Sequence, residues 1–369
     1  VSWVLTILGI VLLVVLHELG HFTVAKAVGM RVERFSLFFP PTIARIKRGE
    51  TEYAIGALPL GGYVKITGMN PEEIGALDPE TARRAYYTQP PWKRIAVILA
   101  GPAVNILIAF LLFWFVLLAG NLDGSAAIGN LDTSVTTLVP TTAVQAVERG
   151  EPAEGVLRAG DRILAVDGRA ATVGSAMAAI AAHRCAGVAV NGCRATTPVS
   201  VEVRRAGRDL TLSIYPRYNA TLKRMLIGFE FGVAAKSFGA LAAAGVALRT
   251  MGSTTVTMLT NIGHAFTSSK VRHQLHSIVG ITEIAHETVV AGAGYALVFV
   301  GFISLVLAVI NLFPFLPLDG GHILWSLAEK FRGRRVSLVA MYRFSSVGIV
   351  LLLFLVVNGV SNDIGRLAG

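Results

Sequence analysis

Val14-Val15-Leu16-His17-Glu18-Leu19-Gly20-His21-Phe22 is the stretch on which the reading of this chain turns. It follows directly on an apolar run, Val1–Leu16, that carries no Lys, Arg or Asp. On a helix, positions i and i+4 share one face, so the imidazoles of His17 and His21 can bind a single metal ion. Glu18, beside the first histidine, is then placed as a general base. Two histidines and a glutamate in an apolar span are costly without partners, and such intramembrane groups are functional candidates by default. The plain alternative is that they only satisfy one another in helix packing.

The composition agrees with a membrane setting. The chain has 369 residues, 53% hydrophobic and 15% charged, against about 25% charged in an ordinary soluble domain. Three further stretches lack Lys, Arg and Asp: Ile95–Ala119, Ala291–Leu318 and Phe344–Val360. About 20 apolar residues cross a hydrocarbon core, so four transmembrane helices are expected. The first lacks a basic leader and a small-residue exit, so it reads as a span and not as a cleaved signal. The net charge of +10 is spread over several segments, which argues against nucleic acid as a partner. Basic residues outnumber acidic ones between Lys26 and Arg94 and again between Asp319 and Arg343. By the positive-inside bias both loops are cytoplasmic. The segment 121–235 is nearly balanced and reads as translocated.

Residues 31–67 hold short, partly alternating runs, Val32–Phe38, Ile43–Lys47, Thr51–Leu58 and Tyr63–Ile66. Pro40-Pro41, Arg48-Gly49-Glu50 and Pro59-Leu60-Gly61-Gly62 divide them, which is strand and hairpin punctuation in an apolar setting. A short helix is expected near Pro79–Tyr87. Residues 130–217 read as a soluble α/β module, with a hairpin of Val201–Arg205 and Leu210–Ile214 and a helix over Val173–His183. Residues 237–266 tempt a fifth span, but Arg249 and a Ser/Thr/Asn-rich second half argue for a surface-lying amphipathic helix or helix pair. The organisation expected is therefore 1–120 (two spans and the β region), 130–217 (the soluble module), 218–290 (an amphipathic linker) and 291–369 (two further spans).

A catalytic zinc needs a third protein ligand. Asp319 is the best candidate, in Asn311-Leu312-Phe313-Pro314-Phe315-Leu316-Pro317-Leu318-Asp319-Gly320-Gly321-His322. Pro314, Pro317 and the two glycines break a helix there, and irregular backbone at membrane depth is tolerated only where protein or a watery cavity covers it. A helix cap for Ile323–Phe331 is the alternative role. Spans one and three run in the same direction, so the histidines and Asp319 come out on one side. The histidines then lie roughly 8–14 Å inside a boundary near Lys26. A fifth span would separate them.

Together these residues resemble the site-2 protease family, and within it the bacterial RseP-type branch. The resemblance rests on HELGH in the first span, Pro59-Leu60-Gly61-Gly62-Tyr63-Val64, Gly101-Pro102-x-x-Asn105 in the second span, and Asn311 through Leu318-Asp319-Gly320. It implies a polytopic α-helical membrane protein with a membrane-associated β region and an inserted PDZ-like domain. It implies one catalytic Zn²⁺ held by His17, His21 and Asp319, with Glu18 as catalytic base. Asn311 and Pro314 match positions used near substrate, and Gly61, Gly62, Tyr63 and Val64 would lie on an edge strand that takes up an unwound substrate. Asn105 and His322 are candidates for contact with the ligands; the alternatives are packing between spans for Asn105 and a helix-entry position for His322. The implied location is the bacterial plasma (inner) membrane, with the PDZ-like domain extracytoplasmic and the active site toward the cytoplasm. The implied substrates are single-span membrane proteins cut in regulated intramembrane proteolysis, such as anti-sigma factors or signal-peptide remnants.

The PDZ-like reading uses Gly155-Val156-Leu157-x-x-Gly160-Asp161-x-Ile163-x-x-Val166-x-Gly168, with the Val173–His183 helix walling a groove for a peptide or protein C-terminus. The segment holds one such module, whereas the better-known arrangement of the family has two. Cys185 and Cys193 lie in the translocated segment, where a disulfide can form. His273 and His276 have ligand-like spacing without a carboxylate or apolar burial around them. Trp3, Trp92, Trp114 and Trp325 read as interfacial or packing aromatics. Two other functions stay open at this point. A membrane-anchored zinc protease acting in water would want its third ligand on a soluble helix, and a catalytically inactive PDZ adaptor predicts decay of the motif.

Overall fold

The fold is that of a computed structural model, which describes residues 2–273, 278–334 and 336–368. In chain order it forms α1 (Ser2–Ala27), β1 (Val32–Arg48), β2 (Thr51–Ile66), α2 (Pro79–Arg83), α3 (Pro91–Ala119), α4 (Leu122–Leu131), β3 (Leu138–Val147), β4 (Arg162–Val166), β5 (Arg169–Ala170) and α5 (Val173–Ala182). Then follow β6 (Val199–Arg205), β7 (Arg208–Ile214), β8 (Arg217–Asn219), β9 (Arg224–Leu226), β10 (Phe229–Ala235), α6 (Ala240–Ala265), α7 (Ser269–Arg272), α8 (Ile278–Ala291), α9 (Ala293–Asn311), α10 (Asp319–Arg332) and α11 (Leu338–Ala368). Two compact units result, Thr136–Lys236 and the rest of the chain.

In the larger unit, four helices among the described residues are long and apolar enough to cross a membrane: Ile7–Ala27, Pro91–Ala119, Ala293–Asn311 and Val339–Arg366. α3 is the axis of this unit. Its buried residues Arg94, Val97, Ile98, Gly101, Asn105, Ala109 and Phe113 recur at helical spacing and make one continuous stripe. α1 closes on that stripe because Gly20 has no side chain: a Cβ there would come within 2.6 Å of the Ala100 carbonyl oxygen. α9 packs further along, where Ser304 Oγ donates to the Asn105 carbonyl at 2.9 Å.

The segment 237–266 forms one unbroken helix, α6, and not a pair. Its buried residues, Ala243, Ala247, Thr250, Met251 and Thr254, share one face. Ala243, Ala247 and Met251 pack with Phe113 of α3 and Val298 of α9, and Trp114 Nε1 donates to the Ala240 carbonyl at 2.9 Å.

β1 and β2 make a two-stranded antiparallel ladder broken by register shifts. Leu37 stands opposite Gly62, and Ser36 opposite Tyr63, yet the same two residues also pair with Ile55 and Ala54. Residues 34–37 therefore run between two stretches of β2, which matches four short runs folded into one sheet. The stretch 62–65 has β1 on one side only, and among the described residues no strand covers the other. The far turn is tied down by Glu50, which accepts two bonds from the Arg84 guanidinium at 2.7 and 2.8 Å and pairs with Lys26 at the end of α1. Those two cations, Arg84 foremost, hold the Glu50 carboxyl at about 2.

The smaller unit is built on a sheet of order β10-β3-β4-β6-β7, with β5 pairing β4. Val144, Leu157, Ile163, Val199, Val201, Val203 and Ile214 form its core, with Ala176 and Ile180 of α5 laid against them. The turn between β4 and β5 is Asp167-Gly168, both with positive φ, the sequence that two-residue hairpins favour. Asp161 is 1% exposed and accepts a bidentate pair of bonds from Arg205 at 2.7 and 2.6 Å. The unit extends beyond residue 217: β10 pairs with β3, so residues 218–235, expected as the start of a linker, carry the end of β8 and all of β9 and β10. Cys185 and Cys193 are joined by a disulfide, with Cα atoms 6.1 Å apart.

Candidate metal centre

α1 brings His17 and His21 to the surface that meets α3, both 6% exposed. The chain then returns from its other end: α10 begins at Asp319, whose carboxylate points at both imidazoles. The N-cap position belongs to Leu318 and makes no side-chain cap, so Asp319 is turned to the histidines and does not close the helix end. His17 Nε2 and His21 Nε2 are 3.2 Å apart. Asp319 Oδ2 lies 3.2 Å from the first and 3.3 Å from the second.

Those three separations fit a zinc ion. Tetrahedral bonds of roughly 2.0–2.1 Å to nitrogen and oxygen leave neighbouring ligand atoms about 3.3 Å from one another. The tautomers agree. His21 Nδ1 lies 2.9 Å from the Val97 carbonyl oxygen, which can only accept, so Nδ1 carries the proton and Nε2 a free lone pair. His17 Nδ1 lies 3.0 Å from Asn105 Nδ2. Flipping that amide exchanges its nitrogen for the oxygen, which otherwise has no partner; Nδ1–H then donates and Nε2 again offers a lone pair. Three lone-pair atoms then converge in a buried space, which calls for a cation. Among the described residues this is the one group of three or more His, Cys, Asp or Glu side chains so arranged.

Two glycines make the arrangement fit. A Cβ at Gly101 would stand 2.3 Å from His21 Nε2 and 2.9 Å from His17 Cε1. A Cβ at Gly62 would stand 2.9 Å from Glu18 Cγ. Gly62 belongs to the uncovered stretch of β2, so that edge passes directly beside the candidate base. Tyr63 is held there by a stack on Phe39, ring centres 5.7 Å apart, and its hydroxyl accepts from Arg34 at 3.1 Å. Val64 packs with the cluster around Val32 and Ile66, and Gly61 has positive φ.

The remaining sequence candidates divide. Asn105 touches His17. His322 lies one turn after Asp319 with its ring edge-on to Tyr86 at 6.1 Å, and its Nδ1 has no hydrogen-bond partner. Asn311 ends α9 and Pro314 is exposed in the turn that leads to Asp319; neither is among the converging atoms. His273 is exposed near the end of α7, and His276 lies outside the described residues. Sequence reasoning missed the Val97 carbonyl, which no side-chain pattern reveals, and the burial of Arg94 against Glu329. The stripe spacing on α3 was a signal for the latter.

The comparisons with known proteins point the same way. Residues 5–355 match the model of peptidase family M50. The chain belongs to that family. It is thus a site-2-protease-type metalloendopeptidase, a zinc enzyme. It is 32% identical to zinc metalloprotease Rip1 of Mycobacterium tuberculosis, over 89% of this chain and 86% of that protein. It is 31% identical to Rip1 of Mycolicibacterium smegmatis, with the same coverage of both. A Xylella fastidiosa protein bearing a zinc metalloprotease name is 27% identical over 95% of this chain and 96% of its own length.

Proposed function

We propose that this M50 peptidase cuts single-span membrane proteins inside the bilayer, with His17, His21 and Asp319 holding the zinc and Glu18 acting as base. The observation that carries the reading is the burial of the three converging ligand atoms between helices apolar enough to be spans. An aqueous-phase protease has no need to place its ligands there. A bound zinc ion supplies Lewis acidity at the scissile carbonyl. Glu18 takes the proton of the attacking water and returns it to the departing peptide nitrogen. Val97 and Asn105 keep both imidazoles in the ligand tautomer.

A helical peptide bond is shielded by its own hydrogen bonds. The uncovered stretch 62–65, with Gly62 against Glu18, would hold an unwound substrate segment by backbone pairing. Asn311 and Pro314 would line the approach from the other side of Asp319. The basic loops around the β region and α10 support a cytoplasmic site, and the disulfide supports an extracytoplasmic place for the smaller unit, in a bacterial plasma membrane. That unit supports a PDZ-like role: a cavity of about 160 Å³, lined by Met177 and Ile180 of α5 and by Phe229 and Phe231 of the edge strand β10, would receive an apolar peptide or protein C-terminus.

The test is purified chain against a single-span substrate in bilayers, with zinc content measured alongside. Glu18→Gln is expected to keep zinc and lose turnover by about a hundredfold to ten-thousandfold. His17→Ala is expected to lose both. Full turnover in Glu18→Gln would reject the base, and cleavage of soluble peptides alone would reject the intramembrane reading.

A further inference from the structure

α10 does more than start with Asp319. Ten residues on, about 15 Å along the helix, Glu329 meets Arg94 of α3, with Nη2 to Oε2 at 2.7 Å. Arg94 is 2% exposed and is the largest fully buried side chain among the described residues. Its guanidinium lies 5.3 Å from the Tyr87 ring centre and 6.0 Å from that of Tyr86. Tyr86, 1% exposed, in turn meets His322 of α10 edge-on. Ile323 of α10 packs on the same cluster, with Val97 and Ile98 of α3 and Ala25 of α1.

Arg94 sits one turn before Val97, whose carbonyl orients His21, and two turns before Gly101, which gives both imidazoles their space. One face of α3 therefore fixes the two histidines and, at its N-terminal end, grips the helix that delivers the third ligand. The backbone before Asp319 carries two prolines and the backbone after it two glycines. A cap at Leu318 is missing.

We propose that the pair of buried Arg94 and part-buried Glu329, braced by Tyr86 and Tyr87, is the positioning device that sets Asp319 against His17 and His21 and so tunes zinc affinity from outside the ligand set. This rests on the metal-centre reading above. The pair touches neither zinc nor substrate; it acts by holding α10 at one height and rotation on α3. Partners that orient metal ligands commonly control affinity by about 10- to 100-fold.

The experiment measures zinc affinity by chelator competition on the full chain in detergent, together with the thermal midpoint of the zinc-free protein. Glu329→Gln keeps the side chain's size and an acceptor for Arg94, and it is expected to weaken zinc binding about tenfold. The double variant Arg94→Gln with Glu329→Gln replaces the pair with two matched amides and is expected to recover most of that loss. Asp132→Asn, which disturbs a buried carboxylate bonded to Ser134 and Ser253, serves as a destabilised control and is expected to leave zinc affinity unchanged. Unchanged affinity in Glu329→Gln would overturn the proposal, as would an equal loss in Asp132→Asn at a matched thermal midpoint. No zinc binding by the unsubstituted chain would instead overturn the metal-centre reading itself.

Discussion

The unit Thr136–Lys236 buries Val144, Ile163, Val199, Val201, Val203 and Ile214 and turns its charges outward, with Asp161 the marked exception. The larger unit does the reverse over much of its length. It exposes Ile7, Leu8, Leu12, Leu107, Leu111 and Phe115, and places His17, His21, Arg94, Asn105 and Ser304 inside. In the first, apolar burial organises the fold. In the second, apolar surface distinguishes nothing, because lipid tails are as apolar as leucine. Close approach at small residues and polar bonds between helices must fix the geometry. The same substitution should therefore mean different things in the two units.

The largest effect should come from removing space at the helix contact. Gly101→Ala is expected to abolish zinc binding and cleavage together, since the new Cβ would overlap His21 Nε2. Gly62→Ala meets the flexible chain of Glu18 at 2.9 Å and the Ser36 carbonyl oxygen at 3.0 Å, neither of them a metal ligand. It should keep zinc and lose about a hundredfold in turnover, by displacing the base. Metal analysis and cleavage on both variants break the comparison if they behave alike.

In the smaller unit the corresponding weak point is a charge. Asp161→Asn, which leaves Arg205 without its carboxylate, should cost on the order of 3 kcal/mol, read as lost amide-exchange protection in β4 and β6. The Arg205 bonds hold the Asp161 carboxyl below its usual range. Its stabilisation is thus full above the unfolded value of about 3.9 and is lost as pH falls through the folded one. Acid should loosen this unit from about pH 4 downward, and the substitution should flatten that dependence.

The smallest effect belongs to the disulfide. Reducing Cys185–Cys193, a loop with sequence separation 8, should lower the unit's stability by roughly 2–3 kcal/mol in the chain-entropy model. Calorimetry on reduced and oxidised protein measures the difference, and alkylation of both thiols in untreated membranes would deny the bridge.

How much was legible follows from the same contrast. The helices of the larger unit stand out because apolar runs without charge have few other readings, and HELGH and LDG stand out against them. The four short runs between Val32 and Ile66 were readable from their Pro and Gly punctuation. The double pairing of residues 34–37 was not, since register depends on tertiary closure. β10 was hidden because its partner β3 lies far back in the chain. α6 reads poorly because its buried face is alanine and threonine, which carry little hydrophobic contrast. Arg94 directly precedes the charge-free run Ile95–Ala119, and only packing against Tyr86 and Tyr87 shows it to be interior.

The proposed ligand atoms come from α1 and α10, about 300 residues apart in the sequence, and everything between must be made before they can meet. A ribosome that has finished HELGH has not yet made a protease. The nascent chain can carry both histidines and the glutamate through insertion of three helices while lacking the carboxylate that completes the centre. With the proposed ligand set, the metal centre is complete only once α10 is in place.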